Sequence, residues 1–282
     1  MVAVVAIYIT SDAHGHVRAL DRALELASPA TDDTVYVLGD MIDRGPDPIG
    51  VINLALSLPN AHVLMGNHER MMLDACKPDA SEYDRLVWEQ NGGWMTSKAL
   101  EKLPESLRFD LFDWVRDLDL YDAVGVGERN YLLAHAGIDC DALRLKLADA
   151  GFFGENGYGD VPVSSLRDAL AGQSEEWLLW ARAEFWGMPT GLVGADGCGP
   201  VVIAGHTPTP LLFRYAQNAC GRGVDEVPRG IVTEVGPTYD TFGVPDRIDI
   251  DCGAASGSPV GRVGVLRLDD RAVFYGDVLD GE

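Results

Sequence analysis

Apolar residues run without a break from Val4 to Ile9, the pattern of a strand buried on both faces. The period then changes, and Val17, Leu20, Leu24 and Ala27 recur at helical spacing. The alternation repeats with a strand over Val35–Leu38, a helix over Pro48–Leu58 with proline at its start, a strand over His62–Met65 and a helix over Glu69–Ala75. Three strand–loop–helix units in succession predict an α/β fold with parallel strands. In such sheets functional groups collect in the loops beyond the carboxyl ends of the strands.

From Ser81 to Leu120 the pattern is helical, with Trp88, Trp94 and Trp114 as expected packing anchors. Tyr131–Ala134 reads as another strand. The stretch from Cys140 to Pro200 is Gly-rich and irregular, broken by a helical piece over Glu175–Ala183. Short strands follow over Val201–Ala204, Arg247–Asp251, Val263–Leu268 and Ala272–Tyr275, the last two hairpin-like. No repeat or linker divides the chain. One domain over 1–282, with a cap or loop insertion around 140–200, is the expectation.

Charge narrows the partners. The 282 residues carry 22 Lys and Arg against 44 Asp and Glu, a formal charge of −22. So acidic a surface repels nucleic acid and anionic lipid, and it would repel a phosphate-bearing substrate unless a site concentrates positive charge of its own. No apolar run reaches the length of a membrane span. The apolar N-terminus lacks a basic flank and a small-residue cleavage site, so it reads as a strand and not as a signal peptide. Five cysteines without CxxC spacing read as reduced thiols acting as small buried hydrophobes. A cytoplasmic protein is expected, and nothing demands more than a monomer.

The chemistry follows the strands. Ser11-Asp12-Ala13-His14-Gly15-His16 succeeds the first, Gly39-Asp40-Met41-Ile42-Asp43-Arg44-Gly45 the second and Gly66-Asn67-His68-Glu69 the third. Later strands end in His135-Ala136-Gly137 and Gly205-His206-Thr207-Pro208. Each therefore delivers a metal-ligand type beside a glycine, which permits tight turns and close backbone approach. Carboxylate, amide and imidazole form a coherent set for Mn, Fe or Zn, and the absence of cysteine argues against structural zinc or an iron–sulfur cluster. Asp12 and His14, two apart on an extended strand end, would project to one side and grip one ion. A carboxylate can bridge two ions. Each fragment alone is commonplace: an isolated Asn-His is usually a cap and Gly-Asp a turn. Five in order at strand ends are not coincidence.

These motifs, with Asn91-Gly92-Gly93-Trp94, Leu179-Trp180-Ala181-Arg182 and Ile250-Asp251-Cys252-Gly253-Ala254 as lesser echoes, resemble the phosphoprotein-phosphatase type of the calcineurin-like metallophosphoesterases. Within that family the bacterial and bacteriophage-lambda serine/threonine phosphatases are most similar. The likeness spans about Ile7 to Ala254, with nothing recognisable from Cys140 to Gly172. It implies two packed mixed β-sheets flanked by helices, and two divalent ions, Mn first with Fe or Zn as alternatives. Asp12 and His14 would bind the first ion, Asp40 would bridge, and Asn67, His135 and His206 would bind the second. His68 would be the general acid, oriented by Asp43, with Arg44 and Arg182 as phosphate clamps. Ser11 where the family usually has Gly, and His16 where the viral type has Cys, bear on subfamily and not on chemistry.

The implied roles are physically coherent. Two ions give an acidic protein the positive charge it lacks and bring a bridging water toward neutral pKa, so that its hydroxide attacks phosphorus in line with the leaving alkoxide. Histidine titrates where it can return a proton to that alkoxide, and arginine forks hold phosphate oxygens. The expected substrates are phosphoserine or phosphothreonine in a protein or peptide, or a small phosphoester. The alternative is a symmetrical bis(5'-nucleosyl)-tetraphosphatase, against which Asp43-Arg44-Gly45 and the Thr-Pro after Gly205-His206 argue. A catalytically silent metal scaffold is the least favoured reading. Among the remaining residues, His62 is expected to be structural, and His16 exposed or supportive. Asp139, Asp249 and Asp251 are expected to cap or end elements, and Trp177, Trp180 and Trp186 to pack.

Overall fold

A computed structural model describes residues 5–154, 157–221 and 229–282, so the expected start of the first strand at Val4 lies outside the described residues. The chain forms two compact units, Met1–Asp119 with Gly253–Glu282, and Leu120–Cys252.

The first unit opens with β1 (Ile7–Thr10), α1 (Val17–Ala27), β2 (Thr34–Val37), α2 (Pro48–Ser57), β3 (Ala61–Val63) and α3 (Asn67–Cys76), the three expected repeats. Ala19, Leu20, Ala23, Leu24 and Ala27 make one buried stripe on α1, which stops where Ser28 turns left-handed and its N–H bonds the Leu24 carbonyl. α2 begins at Pro48 behind an Asp47 cap whose carboxylate accepts from Gly50 N–H. α4 (Glu82–Trp88), α5 (Trp94–Glu101) and α6 (Glu105–Arg116) follow, with one π turn over Glu89–Gly93. Trp88 is buried as expected and Trp114 packs on the core, but Trp94 is exposed, with the Lys98 ammonium 4.6 Å above its ring.

The second unit holds β4 (Tyr121–Val126), β5 (Arg129–Ala134), α7 (Cys140–Asp149), α8 (Val163–Leu170), α9 (Glu175–Trp180), α10 (Ala183–Trp186), β6 (Val201–Ala204), β7 (Ala219–Gly221), β8 (Thr233–Val235) and β9 (Arg247–Asp249). The expected irregular insertion thus contains four helices, α7 to α10. Asp139 caps α7 by accepting from Ala142 N–H, while Leu143 and Leu147 bury the same face. The chain returns to the first unit with β10 (Arg262–Arg267) and β11 (Ala272–Asp277).

Each unit carries one mixed sheet, in agreement with the expected α/β class of two mixed sheets flanked by helices. The first runs β11-β10-β1-β2-β3, with β1, β2 and β3 parallel and Tyr8 paired antiparallel with Arg267. The second runs β4-β5-β6-β9-β8-β7, with β5, β6 and β9 parallel. Leu20, Met41, Ile42, Val51 and Met72 fill the first core, and Leu132, Leu143, Leu166, Leu178 and Val202 the second. Each such side chain contributes about 1.5–3 kcal/mol of transfer free energy, so the strand ends that carry the polar motifs stand on a rigid base.

Candidate active site

Backbone strain marks the motif residues. Among the described residues ten non-glycine positions have positive φ, and six of them are Asp12, His14, Asp40, Asp43, Arg44 and His206. Such a conformation costs roughly 1–3 kcal/mol and persists only where the surroundings over-determine it.

In the first unit the surroundings are hydrogen bonds between loops. Asp12 N–H donates to the Gly39 carbonyl at 3.1 Å, and His14 N–H to that of Asp40 and Gly15 N–H to that of Met41, both at 2.9 Å. Gly45 N–H returns to the His14 carbonyl at 2.9 Å. The strand ends at Thr10, so this lattice, and not the expected extended strand end, sets Asp12 and His14. Glu69 locks the third loop to the second. Its carboxylate accepts from Gly66 N–H at 2.9 Å, Asp40 N–H at 2.8 Å and Met41 N–H at 2.9 Å. Sequence reasoning gave Glu69 no role, although a glutamate at the third helical position is the capping-box signal. The loops approach so closely that a Cβ on Gly66 would lie 2.2 Å from Asp40 Oδ1.

This bracing gathers donor atoms. His14, Asp40 and His68, all buried, each offer one ligand atom within 4.8 Å of the others. Asp40 Oδ2 is 3.4 Å from His14 Nε2 and 3.8 Å from His68 Nε2, while Oδ1 accepts from His68 N–H at 3.0 Å. Burial, with the charges of Asp12 and Glu69 nearby, holds the Asp40 carboxyl well above its ordinary range. Crowded buried carboxylates beside neutral imidazoles are chemically suited to a divalent cation. Asn67, buried, opens α3 next to them.

Arginine fixes the histidine tautomers. Arg44 Nη2 lies 2.8 Å from His68 Nε2, and a guanidinium only donates, so Nε2 accepts and Nδ1 carries the proton. That proton is donated to Asp43 Oδ2 at 2.7 Å. By the same logic His14 donates from Nδ1 to the Ile42 carbonyl at 3.0 Å and turns the Nε2 lone pair toward Arg44 Nη1 at 3.3 Å. Asp43, fully buried, is held by two groups to which the motifs gave no such role. The Thr96 hydroxyl accepts from Asp43 N–H at 2.9 Å and donates to Oδ1 at 2.5 Å, and the Trp88 indole donates to Oδ2 at 2.9 Å. Burial pushes the Asp43 carboxyl up to about 7, while the Thr96 and Trp88 hydrogen bonds and the Arg44 charge pull it down. Arg44 is itself braced, its N–H on the Gly92 carbonyl at 3.2 Å and its Nε on that of Asn91 at 3.3 Å. Gly92 makes this possible, with φ 99° in the π turn and no room for a Cβ, which would sit 2.8 Å from Arg44 Cγ.

In the second unit His135 and His206 follow β5 and β6. Gly205 N–H donates to the His135 carbonyl at 2.7 Å, and the two buried rings lie edge to face with centroids 5.1 Å apart. Trp180 was expected to pack; it is part-exposed instead and presents its ring 6.2 Å from that of His206. Arg182 begins α10, half-buried, and its guanidinium makes no hydrogen bond or ion pair among the described residues.

Other expectations divide. Asp139 is a cap. His62, on β3, stacks at 4.9 Å on Tyr36. His16 is buried, which removes the exposed alternative and leaves the supportive one. Only Cys252 is a buried thiol; Cys76, Cys198 and Cys220 are exposed and Cys140 is intermediate.

The profile of the calcineurin-like phosphoesterases matches residues 5–236. Serine/threonine-protein phosphatase 1 of Salmonella typhimurium is 35% identical over 213 residues, 75% of this chain and 82% of that one. The symmetrical bis(5'-nucleosyl)-tetraphosphatase of Nitrosospira multiformis is 29% identical over 47% of this chain, and the match spans only 44% of that relative's length. A solved structure provisionally assigned as a diadenosine tetraphosphatase covers 99% of this chain and 96% of its own, with a TM-score of 0.53 at 18% identity, a likeness of fold alone.

Proposed function

The chain belongs to the calcineurin-like phosphoesterase family, and from that premise we propose that it is a metal-dependent phosphomonoesterase acting on phosphoserine and phosphothreonine. The observation that carries the reading is the buried Asp43–His68 pair with Arg44 on the outer nitrogen of the imidazole. The length over which the Salmonella phosphatase aligns supports the substrate class.

The ligand atoms of His14 and Asp40 lie close enough to share a divalent ion, and Asp12 is near enough for its charge to act on Asp40. We assign Asp12 and His14 to a first ion, Asp40 to both, and Asn67, His135 and His206 to a second, with Mn preferred and Fe or Zn acceptable. Bound there, the ions supply positive charge and an activated nucleophile for attack at phosphorus. The chain's own groups do the rest. Arg44 turns its fork from His68 onto the phosphoryl oxygens, with Arg182 as a second clamp. Nε2, released, takes up a proton from solvent, making the ring an imidazolium, and passes it to the departing serine or threonine oxygen. The Nδ1–H bond to Asp43 keeps the ring aimed while Nε2 gains and loses that proton. A cytoplasmic monomer that binds neither nucleic acid nor membrane completes the proposal. No helix among the described residues is long and apolar enough to cross a membrane.

The Nitrosospira relative favours a second reading, a symmetrical dinucleoside tetraphosphatase. A product assay separates the two. Protein supplied with Mn²⁺ is offered a phosphoserine peptide and, separately, diadenosine tetraphosphate. Phosphate from the peptide with little ADP supports the phosphatase; ADP as the dominant product replaces it with the second reading. Turnover of neither overturns both and leaves the silent scaffold.

A further inference from the structure

A cavity of about 480 Å³ lies in the first unit between the end of α3 and the segment that runs from α4 through the π turn to α5, within the size range of small-ligand sites. Two indoles stand in its wall. Trp88 is 7% exposed and backs onto Gly93, where a Cβ would lie 2.6 Å from the ring. Its N–H is committed to Asp43 Oδ2, so it offers the cavity ring surface and no donor. Trp94 is 49% exposed, with the Lys98 ammonium 4.6 Å from its ring centroid. An indole left half open beside a recess is placed to pack against a further ring.

Charge of both signs surrounds these rings. Arg85 and Lys98 bring two positive groups to the wall, and Glu89 and Glu101 two negative ones. Among the described residues the Arg85, Glu89 and Glu101 side chains make no hydrogen bond or ion pair, and the Lys98 contact is with the Trp94 ring. Opposite charges that do not pair with each other are left for a ligand. A ligand with one charge, orthophosphate or a simple amine, is attracted by two of the four groups and repelled by the other two; a ligand bearing both signs can be matched at each. Ring surface combined with paired opposite charges describes one small-molecule class. We propose that this cavity is a second ligand site, separate from the candidate metal centre, that binds an aromatic α-amino acid as its zwitterion. The ring packs on Trp94 and Trp88, the carboxylate turns to Arg85 and Lys98, and the ammonium turns to Glu89 and Glu101.

Isothermal titration of the full chain in Mn²⁺ with L-phenylalanine tests this, and saturable binding at or below about 1 mM is expected. L-Alanine, phenethylamine and 3-phenylpropanoate lack the ring, the carboxylate and the ammonium in turn, and each should bind more weakly. Trp94→Ala should weaken phenylalanine binding roughly threefold to tenfold, the scale of an aromatic pair. Arg85→Gln and Glu101→Gln should each weaken it roughly twofold to fivefold, the scale of an exposed ion pair. All three positions are exposed, so the variants are expected to fold as the parent does. Place is read separately, by mass spectrometry after N-ethylmaleimide treatment. Bound phenylalanine should slow alkylation of Cys76, an exposed thiol in the wall, and leave Cys198 of the second unit unchanged. The proposal is overturned if phenylalanine does not bind, if the three variants bind it as the parent does, or if Cys76 is not protected. Equal binding of alanine also overturns it, since the amino acid would then be held by the metal ion.

Discussion

The loops that end β1, β2 and β3 and the loops that end β5 and β6 carry the same residue types but are held differently. In the first unit the strained motif residues are tied down by neighbouring segments: Glu69 gathers three N–H groups, Thr96 and Trp88 hold Asp43, and the Asn91 and Gly92 carbonyls hold Arg44. In the second unit the Gly205 N–H bonds the His135 carbonyl and the His135 and His206 rings pack edge to face, while the Arg182 guanidinium makes no hydrogen bond or ion pair among the described residues. The first set is preorganised by the polypeptide, at the cost of strain it must offset. In the second unit the contrast falls on Arg182, whose guanidinium has no such bracing among the described residues. Preorganisation should therefore make substitution of Arg44 costlier than that of Arg182.

The largest effect is expected at Asp40. Asp40→Asn should abolish turnover and lower the occupancy of both ions together by metal analysis; loss of one ion alone would mean that Asp40 does not bridge. His68→Asn comes next. It should retain both ions and slow turnover by roughly 10²–10⁴-fold, the usual worth of a general acid. Full activity in that variant would remove the role assigned to His68.

The bracing is also what the sequence concealed. Strand ends with glycine beside Asp, His or Asn were legible because a ligand type and a turn residue coincide at a change of period. Thr96 was not, since it lies 53 residues from Asp43 in sequence and a threonine inside a helix carries no local sign of a distant bond. Glu69 carried a capping-box signal that the sequence reading left unused, and its bonds to Asp40 and Met41 arise from loop approach, which no periodicity encodes. α7 was missed because glycines on both sides masked an Asp139 cap followed by Leu143 and Leu147, and β7 and β8 because three residues are too few to show alternation. Trp94 and Trp180 were read as core because aromatics at helical spacing usually are; their exposure follows from positions beside a charged helix face and beside His206.

Glu69→Ala measures the bracing directly. It leaves three N–H groups without their carboxylate, at about 1–3 kcal/mol each, so a loss of roughly 3 kcal/mol or more and a Tm fall of about 6–12 °C are expected in calorimetry. An unchanged Tm would mean that the loops hold without it. Thr96→Val should act mainly through pH. The lost hydrogen bond stabilises the ionised Asp43 carboxyl, whose value already stands at about 7, so its removal raises that value further. If ionised Asp43 is what aims His68, the acidic limb of the pH–rate profile moves to higher pH, with turnover at neutral pH down roughly tenfold, the scale of one charge-assisted bond. A limb that stays in place while turnover falls would assign Thr96 a purely structural role.

The smallest effect belongs to Arg182 and gives the sharpest contrast with Arg44. Both are assigned to phosphate, but the Arg44 side chain is held by the Asn91 carbonyl and the two imidazoles before substrate arrives, whereas Arg182 must lose side-chain freedom on binding, a cost of about 1 kcal/mol or more that cancels part of its contribution. Arg182→Gln should therefore raise KM less than about tenfold with kcat little changed, and Arg44→Gln should lower kcat as well, because its fork also stands on His68 Nε2. Arg182→Lys separates charge from geometry. Lysine keeps the charge and loses the planar fork, so a KM midway between parent and glutamine variant is expected if two oxygens are clamped. A lysine variant equal to the parent would show that the second unit contributes charge alone, and the contrast in bracing would then be one of chemistry as well as of rigidity.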